Sequence, residues 1–64
     1  MENRKTELKI GSQVKHSYFG KGIIISEQYD GDYFYFEVEF ENENRELIDR
    51  KGFFIPSVLE KVIE

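Results

Sequence analysis

Between Tyr33 and Glu41 the chain reads "YFYFEVEFE", and apolar and polar side chains alternate with a period of two. Successive side chains of a strand point to opposite faces. Phe34, Phe36, Val38 and Phe40 are therefore expected in a core, and Tyr33, Tyr35, Glu37, Glu39 and Glu41 on a wet face. "SQVKH" (12–16) follows Gly11 and reads as a short strand, "HSYFGKG" (16–22) as a turn. "IIISEQ" (23–28) is β-branched and then polar, which suits a strand leaving the core for the surface. Asp30-Gly31 within "YDGDY" predicts a hairpin. "ENEN" (41–44) reads as a tight polar turn and "RELIDR" (45–50) as a further strand around Leu47. After "KGFF", Pro56 interrupts the chain. A tight turn and a short strand, Leu59 to Val62, are preferred there. The alternative, a helix with Val58, Leu59, Val62 and Ile63 on one face, is too short to be more than marginal.

Short strands with tight turns predict an all-β fold, a small five-stranded antiparallel barrel with a short 3-10 turn before the last strand. Residues 1–9, polar and without periodicity, are expected to form a flexible N-terminal tail, and residues 10–64 the barrel. The isoleucine run leaves its register open. A two-residue loop at Asp30-Gly31 puts Ile23 and Ile25 on the face of Phe36 and Val38, whereas a three-residue loop, Asp30 to Asp32, puts Ile24 and Ser26 there. A bulge would reconcile the two.

Composition narrows the chemistry. Six Phe and four Tyr supply core material to a 64-residue chain that has no cysteine, so neither a disulfide nor a cysteine-ligated zinc can staple it. The net charge of −4 is unevenly spread. Residues 1–24 carry five Lys/Arg and two Glu (+3), and residues 25–64 carry four Lys/Arg and eleven Asp/Glu (−7). That acidic excess opposes broad contact with a polyanion, because phosphates are gripped by Lys and Arg. No apolar run approaches the ~20 residues that span a bilayer, and "MENRKTELKI" has no signal-peptide core. A cytoplasmic protein without membrane association, monomeric, is expected.

"VKHSYFGKGIII" (14–25) holds the only histidine and two closely spaced glycines. A phosphate loop would need a helix start after the glycines, and three isoleucines favour a strand instead. His16 has no nucleophile motif or set of metal ligands around it, so a structural histidine bonded to turn backbone is expected. No catalytic residue, metal site or cofactor is expected, and the chain reads as a non-enzyme. Asp30 and Asp32 are better explained by turn geometry than by a metal that needs six or more oxygens.

At these residues a family resemblance enters. "VKHSYFGKGIIIS" resembles the V-x-H-x-x-F-G-x-G-x-V opening of the Tudor-like, SH3-like C-terminal module of UvrD/PcrA-type bacterial helicases. "FEVEF", "RELI" and "FIPSVLEKV" resemble that module's third strand, fourth strand and closing segment, so the similarity spans about Gly11 to Val62. A looser similarity runs to the polymerase-interacting domains of CarD and the transcription-repair coupling factor. The resemblance implies an SH3-like/Tudor-like barrel, an inward Ile24, and a non-catalytic module that docks to RNA polymerase or to a transcription or DNA-repair factor.

Candidate partner-binding residues are Tyr18, Tyr33, Tyr35, Glu37 and Glu39. Tyrosine is enriched at interfaces, and carboxylates suit a basic partner. The blander reading of the glutamates is a solvated strand face paired with Arg45 and Arg50. An aromatic cage for methylated lysine built from Tyr18, Tyr29, Tyr33 and Tyr35 is a further alternative, and core capping by these tyrosines is expected instead. The alternative functions are a nucleic-acid-binding barrel using Lys9, Lys15, His16 and Lys21, and an acidic phage or mobile-element inhibitor of a basic-faced host protein.

Overall fold

The computed structural model describes residues 8–62. Five strands form one antiparallel sheet: β1 (Gln13–His16), β2 (Gly20–Asp30), β3 (Tyr33–Phe40), β4 (Lys51–Phe54) and β5 (Leu59–Lys61). Their spatial order is β4-β3-β2-β1-β5, and among the described residues no ladder joins β4 to β5. The sheet curls enough to bring its two halves together: the His16 ring on β1 lies 4.9 Å from that of Phe54 on β4. No helix among the described residues is long and apolar enough to cross a membrane.

The alternation in β3 decides the core. Val14, Ile24, Phe36, Val38, Phe40 and Leu59 are buried, and Leu8, Phe19, Phe34, Leu47 and Phe54 pack around them. The expected tail, residues 1–9, falls mostly on residues 1–7, which lie outside the described residues, while Leu8 already packs on the core. Phe34 is only half-buried, because β4 pairs with β3 from Phe36 to Glu39 and stops short of it. Its ring rests between Tyr29 and Phe36, with centroids 4.7 Å from each.

The hairpin resolves the register. Asp30 pairs with Tyr33, leaving Gly31-Asp32 as the loop, with positive φ at Gly31 alone. The ladder then skips Ile25, a bulge that sets Ile24 opposite Val38 and turns Ile23 outward. The loop has two residues but lies one position beyond the expected Asp30-Gly31, and the bulge supplies the inward Ile24. β1 accompanies β2 only over Gly20 to Ile23, so beyond the bulge Ser26–Asp30 and Tyr33–Tyr35 project as a two-stranded arm.

The fourth strand is not where the apolar pattern places it. "RELIDR" (45–50) is a run of turns with a single bridge, Ile48 to Lys51, and "KGFF" (51–54) is the strand. The chain reverses through Asp49 (φ 57°) and Arg50 (φ 63°), both left-handed, as a tight two-residue turn of the twisted hairpin type demands. Pro56–Val58 then form the 3-10 turn, closed by Val58 N–H donating to Ile55 O at 3.2 Å, and β5 follows as expected from the sequence.

Candidate functional site

The opening motif is architectural. Tyr18 N–H and Phe19 N–H donate to His16 Nδ1 at 3.0 and 3.3 Å, so the ring accepts the two amides of the turn and carries its neutral-form proton on Nε2. Its face packs on Phe19 and Phe54. His16→Ala is expected to lower stability by ~2 kcal/mol, since two donors lose their acceptor. His16→Asn, whose Oδ1 sits near the position of Nδ1, should restore part of that loss in urea unfolding. Equal losses in both variants would mean that the ring's packing, not its acceptor, matters. Gly20 has φ +90°, and Gly22 lies against β3, so each glycine has a backbone reason to be there.

The basic candidates are not assembled into one patch. Lys15 and Lys21 face each other across β1 and β2, but Glu60 lies opposite Lys15 on β5. Glu41 N–H donates to Lys21 O at 2.9 Å, which sets a carboxylate-bearing residue on the other side of Lys21. His16 points into the aromatic cluster, and the Lys9 backbone is engaged in a turn with Ser12.

The tyrosines also separate. Tyr18 meets Phe19 edge-to-face, and its hydroxyl donates to Glu46 Oε2 at 3.4 Å. Tyr33 and Tyr35 lie toward the far end of β2, about 30 Å along an eleven-residue strand. Tyr29 pairs with Phe34 on one face of the arm, while Tyr33 and Tyr35 occupy the other. A four-tyrosine cage is therefore not formed, and Tyr18 stands apart from the other partner-binding candidates.

Tyr33, Tyr35, Glu37 and Glu39 do share a face. Tyr33 is exposed and Tyr35 half-buried, with ring centroids 6.5 Å apart. Glu37 and Glu39 are half-buried rather than fully exposed, because each is tied down by a neighbour. Ser26 Oγ donates to Glu37 Oε1 at 2.8 Å, and Arg50 Nη2 donates to Glu39 Oε2 at 3.4 Å. The expected pairing with a neighbouring arginine thus holds for Arg50 at Glu39, which with Lys51 opposite offsets that carboxylate. Among the described residues Glu37 has no such cation within ion-pair distance. Opposite it on β4 stands Phe53, 54% exposed. Sequence reasoning passed over Phe53, although two adjacent phenylalanines in a strand must put one ring outward. Ile23 and Ile25 extend the same surface along Glu39.

Among the described residues no group of three or more His, Cys, Asp or Glu could hold a metal ion. Comparison with protein-family models and with curated proteins gives no match.

Proposed function

We propose that this chain is a non-catalytic protein-docking module that engages a basic partner through the outer face of β2, β3 and β4. One observation carries the reading: exposed Tyr33 and Phe53 flank half-buried Tyr35 on one side of the sheet, beside Glu37 and Glu39. Exposed aromatic area contributes most of the energy at interfaces, and carboxylates around it select a basic partner and speed encounter. The motif at Val14 to Ile24 resembles that of the helicase C-terminal module and makes RNA polymerase, or a transcription or DNA-repair factor, the first partner to test. The nucleic-acid reading gains no support from the arrangement of Lys15, Lys21 and His16 described above.

Tyr35→Ala combined with Glu37→Lys should lower affinity for RNA polymerase at least tenfold, on the order of 1.4 kcal/mol or more. Its melting temperature should stay within a few degrees of the parent, about 0.5 kcal/mol per surface change. Calorimetric titration of both chains, with a Lys9→Ala/Lys15→Ala control, checks this. A control that fails to bind beside a strand-face variant that binds normally would place the interface on the basic side.

A further inference from the structure

We infer that the arm and β4 together form a subsite for one arginine side chain of a partner protein; this rests on the docking reading above and makes it specific. A shallow concavity is lined by Gln28, Tyr29, Asp30, Tyr35 and Phe53. Register places Gln28 opposite Tyr35 and Asp30 opposite Tyr33, so an amide and a carboxylate share the outer face with the rings of Tyr33 and Tyr35. Phe53 closes the side toward β4, opposite Glu37.

Charge names the occupant. From Ser26 to Val38 the chain carries four carboxylates (Glu27, Asp30, Asp32 and Glu37) and no Lys or Arg. The cations of the adjoining segment are used elsewhere: Arg50 on Glu39 and on the carbonyls of Phe40 and Glu41, and Lys51 opposite Glu39. Flat rings beside a carboxylate suit a cation with a planar apolar face. Guanidinium stacks on aromatic rings, is more weakly hydrated than ammonium, and presents a fork of N–H donors to a carboxylate. In the arginine complex the guanidinium lies along Tyr35 and Phe53, with its donors on Asp30 Oδ and the Gln28 side-chain carbonyl. Phosphate-bearing ligands are repelled by Asp30 and Glu37, the two of these carboxylates that the register sets on the outer face.

Chemical-shift titration of the isotopically labelled chain with acetyl-Gly-Arg-Gly-amide tests the subsite. Shifts should concentrate at residues 28–35 and 53. The lysine tripeptide should bind about threefold or more weakly, and the citrulline tripeptide, planar but uncharged, about tenfold or more weakly. Phe53→Ala and Asp30→Asn should each weaken arginine binding by about threefold or more, with the rest of the spectrum unchanged. The inference is overturned by the absence of localised shifts at millimolar peptide, by equal binding of the three peptides, or by shifts centred on Lys15 and Lys21. Any of these leaves docking itself standing if Tyr35→Ala/Glu37→Lys still abolishes partner binding. If that double variant binds its partner normally, docking on this face falls as well.

Discussion

Phe40→Ala should abolish or nearly abolish the folded state. Phe40 is 1% exposed and is the hub of the aromatic cluster, with ring centroids 5.4 Å from Phe19, 5.5 Å from Phe54 and 6.3 Å from His16. It therefore couples β3 to β4 and to the β1–β2 turn in one contact set. Truncating a buried Phe costs ~3–5 kcal/mol, transfer and cavity together. A natural domain has a stability of ~0.05–0.15 kcal/mol per residue, about 3–10 kcal/mol for a chain of this length. The loss is thus comparable with the whole. Thermal unfolding followed by circular dichroism should show the transition lowered by about 15 °C or more, or no cooperative transition. A shift of only a few degrees would mean that the cluster is not the core of this fold.

Gly22→Val should be nearly as damaging, for a reason of space rather than lost contact. Gly22 pairs with Phe40 across the β2–β3 ladder. A Cβ there would lie 2.7 Å from Glu39 O, 2.8 Å from Val38 Cγ1 and 2.9 Å from Phe40 Cδ1. The first of these is backbone within a sheet and cannot turn aside, so the strands must part. Overpacking of this kind costs ~1–3 kcal/mol, and the two γ-methyls of Val place the substitution at the upper end or beyond. Gly20→Ala is the informative companion. No atom lies within 4 Å of its Cβ position, so only the strain of φ +90° opposes it. That strain is worth ~1–2 kcal/mol. Urea unfolding should therefore rank Gly22→Val below Gly20→Ala, and the reverse order would locate the constraint in the turn.

The parts legible in the sequence are those where one physical rule acts alone. β3 alternates because one face meets the core and the other meets water, and burial follows that alternation from Phe36 to Phe40. Pro56 and the apolar residues after it gave the turn and last strand correctly. His16 and the two glycines were readable as turn chemistry. β4 was not, for two reasons. Its strand contains Gly52, a poor strand former, kept because the Phe54 ring would lie 2.8 Å from any Cβ there and Leu47 3.2 Å away. Its preceding turn uses Asp49 and Arg50 at positive φ, where Asn-Gly would have announced it. Leu47 and Ile48 then imitate a strand in the wrong place. Ile48 is in fact 85% exposed. The candidate site was half-legible: alternation grouped Tyr33, Tyr35, Glu37 and Glu39, but only the placement of β4 brings Phe53 beside them. Nothing in the sequence separates Tyr18 from the other tyrosines; the length of β2 does.

Site-specific photo-crosslinking in cell extract tests docking on the β2–β3–β4 face most directly. A photoreactive phenylalanine analogue is placed at position 35 in one chain and at position 21 in another, both retaining parental melting temperatures. Docking through the acidic aromatic face predicts a specific protein adduct from position 35, weakened by added salt and by Glu37→Lys, with none of comparable yield from position 21. A dominant adduct from position 21, whether to protein or to nucleic acid, with position 35 silent, would contradict it.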